Sequence, residues 1–572
     1  MADEESGTST LQEQDQDKEL QQHVTHDDDR NGEEKDKQQA DLSKIESTKS
    51  IAETLPLGKE ILFVGLICCA QFTTQVGLGQ CLAILHVIGD SYGLSNPGEL
   101  SWLIAAYSLT VGTFILLAGR LGDVYGYKRM LIIGFSWFSV WSMIAGLAVY
   151  SNHVLFNFAR VFQGVGPAIC LPNGLAILGA SYAPGPRKAM VFAIFGATAP
   201  GGAVMGAVFA GLFSLAWWPW TFWSFAIVLA CIAVVGSYVI PEPPKKFTKA
   251  MTLREKIAEL DLLGGLCGVT ALILINFAWN QSGVVTWAKA YVYVCLILGA
   301  LFTAAFFFIE LRVATSPLIP FDALSTDVAF VLACVACGWS CFGIWVYYLW
   351  QFYEQLRGAS PLHAAAWTIP VAISGAIASV TTGFLLGRLR PAWVMTIALT
   401  AFTVGTILIA TAPVEQSYWA QSFVCTIVIP WGMDMSFPAA TLILSDAVAK
   451  KHQGIAASLV NTIVNYSISL ALGFAGTVES HVNHGGKTPK DVLLGFRGAC
   501  FHGDIATSAL HIDKAGINRM IPIAGVMAIV DFNRTGKSHE IETLALQRSP
   551  LAPKDVGCAV IRWYHDTGEG QV

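Results

Sequence analysis

The sequence predicts an all-α protein that crosses a membrane many times. Of its 572 residues, 54% are hydrophobic and only 13% charged, and the mean hydropathy is +0.53, which argues against a soluble globule. Apolar segments near the ~20 residues needed to cross about 30 Å of hydrocarbon recur between about residues 60 and 476. The connections between them alternate between crowded and nearly empty in lysine and arginine.

Residues 1–59 are polar and rich in Glu, Asp, Gln and Lys, and are expected to form a disordered cytoplasmic tail. Much of the net charge of −6 sits there, so it implies no nucleic-acid partner. No short apolar segment follows a basic N-terminus, and the first span is expected to serve as the insertion signal. Thirteen spans are predicted, at 61–86, 99–118, 130–150, 154–180, 188–213, 218–240, 261–280, 289–309, 328–353, 361–387, 391–412, 418–447 and 453–476. Connections after even-numbered spans carry fifteen cations, among them Arg120, Lys128, Arg129, Arg187, Lys188, Arg388 and Arg390. Those after odd-numbered spans, through the eleventh, carry only Lys289 and Arg357, which puts the N-terminus in the cytoplasm. The 241–260 connection begins Pro241-Glu242-Pro243-Pro244 and continues as a basic amphipathic stretch. It reads either as a solvated linker or as a helix lying on the inner membrane surface.

The stretch from Gly119 to Arg129 sets Arg120, Lys128, Arg129 and Asp123 in what reads as a glycine-broken loop between two spans, suited to a hinge or latch. Its pattern, G-x-x-x-D-x-x-G-x-K/R-K/R, resembles the loop after the second span of major facilitator transporters. By that resemblance Gly119, Asp123, Gly126, Lys128 and Arg129 form a gate motif, with Asp123 pairing with a cation or a helix N-terminus to hold the inward side shut. Val124 and Tyr127 depart from the pattern at positions where cations are common.

A charge at the centre of a span costs at least about 2.5 kcal/mol and marks a pathway or a paired site. Arg160 and Asp434 are the two read as standing well inside. Arg160, Gln163, Gly164 and Gly166 resemble the fourth-span motif R-x-x-Q-G-x-G of proton-coupled facilitators, whose arginine is associated with proton transfer. Asp434 lies between Pro430 and Pro438 in the twelfth span. It reads either as a carboxyl that takes up and releases a proton in a transport cycle, or as one permanently hydrogen-bonded to backbone or to Ser436. The first span offers Gln71, Gln75 and Gln80 but no acid.

Gly196, Pro200, Gly202 and Gly206 give the fifth span a bendable face for close helix packing. They resemble the antiporter motif G-x-x-x-G-P-x-x-G-G, with Phe195, Ala199, Ala203 and Val204 in place of glycines. Leu260 to Gly264 resembles the opening of the seventh span in fourteen-span drug:proton antiporters, and the stretches 432–440 and 453–467 resemble the fungal branch that includes aminotriazole-resistance proteins. Asn461 and Asn465 share a helical face and either line the route or bond helix to helix.

The resemblance, over roughly 55–500, implies a fold of two six-helix bundles plus two extra central helices. Residues 60–240 would form the first bundle, 241–260 the cytoplasmic linker, 261–310 the two inserted spans, 311–500 the second bundle and 501–572 an atypical tail. Residues 491–500 look like the approach to a fourteenth span, but His502, Asp504, His511 and Asp513 interrupt it, and only about twelve apolar residues follow near 521–532, roughly 18 Å of helix. The last helix is therefore read as missing or aberrant, through an altered exon, a retained intron, a shifted frame or a divergent tail. With thirteen spans that tail would lie outside, leaving Asn533 open to glycosylation. Eleven of the thirteen cysteines fall in spans and read as small buried hydrophobes; Cys334, Cys337 and Cys341 share a face without further ligands, so no metal is expected.

The function so implied is proton-coupled efflux of small organic compounds by alternating access, in a monomer without cofactor, at the plasma membrane rather than the vacuole. A second reading moves a small solute such as ammonium or borate. A third, of another class, is a non-transporting receptor or a defective transporter-like protein. An enzyme is not expected, because no nucleophile with a base and no histidine cluster stands in the spans.

Overall fold

The computed structural model describes residues 55–508 apart from 95, 183–185, 243–251, 286, 315–316, 320–325, 448–452 and 487. The tail 1–54, most of the first half of the linker and everything beyond 508, including His511, Asp513, Asn533 and the apolar stretch 521–532, lie outside the described residues.

Among the described residues there are sixteen α-helices and no strand. The first group comprises α1 (Leu57–Leu82), the short α2 (Leu85–Tyr92), α3 (Pro97–Tyr125), α4 (Tyr127–Leu147), α5 (His153–Ser181), α6 (Pro186–Ser214) and α7 (Pro219–Val239). A short α8 (Leu253–Leu260) precedes the hairpin α9 (Leu262–Val285) and α10 (Ala290–Arg312). The second group is α11 (Thr326–Gln351) with a π-turn at Phe352–Leu356, α12 (Pro361–Leu386), α13 (Pro391–Ala410), α14 (Gln421–Ala447), α15 (Gln453–Val482) and α16 (Pro489–Ser508). Thirteen of these are long and apolar enough to cross a membrane, matching the thirteen predicted spans. In hydrocarbon only a helix satisfies all of its own backbone, so apolar length alone dictates the element. Starts are fixed locally: Asn96, Asn152 and Ser360 accept from the backbone N–H of Gly98, Leu155 and His363, and prolines open α7, α12 and α13.

Within the first group α1 packs on α6, α3 on α5, and α4 on both α5 and α7; within the second α13 and α12 pack on α14, and α11 on α15. The groups meet along two seams, α3 against α15 and α6 against α12. The inserted α9 lies against α3 and α15, while α10 packs on α9 and turns Leu301 and Phe308 outward, as a lipid-facing helix does.

One feature differs from the sequence reading, and two others bear on alternatives it left open. Residues 119–125 are not a loop: they continue α3, and Gly126 alone makes the break, at φ 100°, a backbone conformation that L side chains rarely adopt. Charged side chains at a span's end leave the helical backbone hydrogen bonds intact, so composition marked the membrane boundary and not the end of the helix. The linker's α8 is not free in solution; it packs on the end of α3, with Lys256 5.5 Å from the Tyr125 ring centre. The last helix is aberrant rather than missing. The 20 residues of α16 reach about 30 Å and pack on α11, α13 and α15, yet α16 is not among the thirteen helices apolar enough to cross a membrane.

Candidate functional site

A cavity of about 920 Å³ lies between α1, α3, α5 and α6 on one side and α11, α12, α14 and α15 on the other. Arg120, Asp123, Tyr127, Lys188, Leu386 and Leu442 line one end, where the cation-rich connections lie. At the other end Leu82, Leu349 and Trp350 close it. There His86 on α2 meets the second group: its Nε2 is 2.6 Å from Gln351 Oε1, and Gln355 Nε2 donates to Nδ1 at 3.3 Å. Gly211 of α6 lies against Leu362 of α12 at the same end, so closely that a Cβ would stand 2.9 Å from its Cα. The two groups are thus joined at the cation-poor end, while half-buried Asp123, Tyr127, Lys188, Leu386 and Leu442 line the cavity at the cation-rich one.

Asp434 lines the middle of the cavity. Pro430 and Pro438 lie inside α14, and because proline has no N–H, Pro438 leaves the Asp434 carbonyl without its helical donor. The carboxylate accepts from Ser379 Oγ on α12 at 3.1 Å through Oδ1, while Oδ2 is buried without a hydrogen-bond partner among the described residues. Ser436 serves neither oxygen; it donates to the Met433 carbonyl at 3.2 Å and accepts from Trp339 Nε1 at 3.2 Å. Gly375 makes the room: a Cβ there would come 2.8 Å from Asp434 Oδ2 and 2.6 Å from Pro200 Cγ on α6. The proline of the fifth-span motif and the acid of the twelfth therefore both flank Gly375 and both line the cavity.

Arg160 is fully buried and does not line the cavity. Its Nε donates to the Leu103 carbonyl at 3.0 Å, and its Nη1 to the Gly77 carbonyl at 3.0 Å and Gln163 Oε1 at 2.6 Å. Its guanidinium carbon lies 4.4 Å from the Tyr107 ring centre, and Gln163 passes the chain on to Ser142 Oγ at 2.7 Å. The arginine ties α1, α3 and α5 together. Tyr107, which donates to the Thr74 carbonyl at 2.8 Å, and Thr74 itself present this cluster to the cavity wall. The two charges singled out in the sequence are therefore not brought together: one lines the cavity, the other braces its wall.

At the cation-rich end Tyr127 donates to Asp123 Oδ1 at 2.6 Å across the Gly126 break. Arg120 donates to the Pro317 carbonyl at 2.5 Å and reaches Glu259 of α8 at 3.4 Å. A Cβ on Gly119 would stand 3.4 Å from Ser458 Oγ of α15, so the motif faces the other group. Lys128 is half-buried and Arg129 exposed in the first turn of α4.

Glycines elsewhere set helix contacts. A side chain at Gly202 would strike the Phe72 carbonyl, and one at Gly206 would come 2.7 Å from the Val76 carbonyl, so α6 lies flat on α1; Gly196 has open space beside it. Gly164 and Gly166 sit equally tightly against Thr110 and Phe138. Gln71, Gln75, Asn461 and Asn465 all line the cavity, and Asn465 Nδ2 donates to the Asn461 carbonyl at 3.0 Å within α15 itself.

Sequence reasoning missed several polar groups. Glu479 accepts from Tyr348 at 2.7 Å, Glu60 accepts from Tyr182 at 2.9 Å and pairs with Arg187 at 2.5 Å, and Glu310 accepts from the Leu318 N–H at 3.2 Å. Each lies within a turn of a predicted span boundary or just past it, where a charge carries no surprise in a linear reading. The His86 contact joins residues 265 apart and left no local signal.

Residues 66–474 match the model of the Major Facilitator Superfamily. The chain is 56% identical over 454 residues to the low affinity ammonium transporter of Saccharomyces cerevisiae, covering 79% of this chain and 87% of that one. It is 45% identical to the efflux pump terG of Aspergillus terreus, over 78% of this chain and 85% of that protein, and 38% identical to the aminotriazole resistance protein of Saccharomyces cerevisiae, over 78% and 81%. Matching that model over most of its length, and similar to transporters over nearly four fifths of it, the chain belongs to the major facilitator superfamily, as a transporter and not an enzyme.

Proposed function

We propose that this protein exports small organic compounds by proton-coupled alternating access, with the cation-rich end in the cytoplasm and the chain in the plasma membrane. The observation that carries the reading is Asp434: a carboxylate lining the middle of a cavity of about 920 Å³, with one oxygen lacking any donor among the described residues. A proton or a cationic substrate group would satisfy that oxygen, which lets the two compete for one site. Trp339, Phe342, Trp345 and Trp350 line the same space and suit amphipathic solutes. The cavity reaches the end where cytoplasmic compounds would enter. By the same reading Arg160 acts through the wall it braces, Asp123 and Arg120 with Lys128 and Arg129 act as the inner gate, and the protein works as a monomer.

A second reading, transport of ammonium or a comparably small solute, is favoured by the relative at 56% identity. The cavity volume favours the first, being far larger than a single small ion fills.

Reconstituted vesicles with an imposed pH gradient test the proposal. Wild-type protein is expected to move organic amines uphill against the gradient, and Asp434→Asn to retain substrate exchange while losing the gradient's effect. Flux indifferent to the gradient, or coupling unchanged in Asp434→Asn, would overturn it. Methylammonium in the same assay separates the second reading.

A further inference from the structure

The contact at the closed end of the cavity has a chemistry that the transport site does not use. His86 is half-buried on α2, the short helix that follows the first span. Gln351 offers its Nε2 an acceptor oxygen at 2.6 Å, and Gln355 offers its Nδ1 a donor nitrogen at 3.3 Å. Gln351 also faces Tyr347 of its own helix. With the two amides as placed, this pair of partners suits the neutral ring with its proton on Nε2. A second proton on Nδ1 would point N–H at N–H.

We propose that His86 is an external proton-binding site that locks the outer ends of the two helix groups together while neutral and releases them when protonated. The ligand is the proton itself, taken from the side opposite the cytoplasmic cavity mouth, and the response is opening of the outer gate. The proposal rests on the alternating-access reading above.

The titratable groups at this end of the elements that meet here include Asp90 and Tyr92 on α2, Glu99 in the first turn of α3, Tyr347 and Tyr348 on α11, Tyr353 and Glu354 in the π-turn and Arg357 just past it. Burial holds the affinity of His86 for a proton below the ordinary histidine range, and the Gln351 bond and the Asp90 charge oppose this only in part. Separation of the helix groups would wet the ring, leave Asp90 beside it and restore that affinity. The sign follows by linkage: above pH ~6.5 both forms hold a neutral ring, and below it the open form gains up to about tenfold in population per pH unit until the closed form also protonates. A π-turn is a common device at functional sites, and here it places Gln355 against the ring.

Hydrogen exchange on the full-length protein in lipid nanodiscs, without substrate, tests this apart from any flux measurement. After correction for the intrinsic pH dependence of exchange, α2 and the π-turn of wild-type protein are expected to lose roughly tenfold in protection between pH 7 and 5.5. His86→Gln, which keeps polar contacts but does not titrate, is expected to stay protected throughout. Gln355→Glu supplies an acceptor for the Nδ1 proton and is expected to stay closed at pH 5.5, so the idea stays testable even where His86→Gln accumulates poorly. A wild type whose protection does not change with pH, or a Gln355→Glu variant that opens as the wild type does, overturns the proposal. Failure of the Asp434 flux test with acid opening intact would instead count against the transport mechanism alone.

Discussion

Tyr127 donates its hydroxyl to Asp123 at 2.6 Å across a helix break one residue wide. In the sequence Tyr127 is a departure, standing where the family's motif commonly carries a cation. In the structure it fills that position by another chemistry, since a phenol can hold a carboxylate without adding charge. The Tyr127→Phe variant keeps the ring and removes one bond, a loss of about 1 kcal/mol. Transport is expected to slow several-fold with folding unchanged, read as flux against thermal stability in detergent. Equal flux in Tyr127→Phe would show that the bond does no gating.

Arg160 presents a second case in which chemistry depends on shape. Its planar fork reaches two backbone carbonyls on different helices and a glutamine on its own. Lysine carries the same charge but cannot span those directions. Each carbonyl left unpaired in a membrane interior costs roughly 1–3 kcal/mol. The Arg160→Lys variant is therefore expected to lose thermal stability as well as activity. Full stability with lost activity would place Arg160 in the proton path instead of the scaffold.

The sequence revealed most where one segment determines its own fate. Apolar length specified the thirteen crossings, and Gly202 and Gly206 announced a helix face able to lie against a backbone. It revealed least where two distant segments decide together. The Ser379 hydroxyl that serves Asp434 is 55 residues away on another helix, and Ser436, two residues along the chain, turns elsewhere. Glu479 escaped notice because the predicted span stopped at 476 while α15 runs to Val482. Residues 119–125 were misread because charge marks where lipid ends, and the helix does not end there.

The fifth-span motif makes a sharper prediction than its pattern implies. Its glycines are not equivalent: Gly202 and Gly206 lie against the backbone of α1, whereas Gly196 has nothing within 4 Å of a notional Cβ. Substitution by valine at Gly202 or Gly206 forces two backbones apart and is expected to abolish accumulation of folded protein. Alanine at Gly196 is expected to leave both accumulation and flux within about twofold of wild type, since surface or cavity-edge changes away from packed contacts cost under ~0.5 kcal/mol. Surface-pool measurement by size-exclusion profile distinguishes them, and tolerance of Gly202→Val would refute the packing assigned here.

The aberrant last helix carries its own test at Phe496. This side chain is 2% exposed, stacks on Phe352 at 5.4 Å between ring centres and meets the Tyr348 ring edge-on at 5.8 Å. Tyr348 in turn holds Glu479 at 2.7 Å, and Gly495 of α16 lies against the same side chain, so α16 covers a half-buried carboxyl as well as two rings. In lipid the hydrophobic effect does not drive helices together, but packing lost to a cavity is still lost. The Phe496→Ala variant is expected to cost on the order of 3 kcal/mol and to lower the midpoint of thermal unfolding by several degrees. Phe496→Leu keeps most of the volume and is expected to recover most of that loss. If both variants melt with the wild type, α16 does not support the second helix group, and the wall it forms there is dispensable.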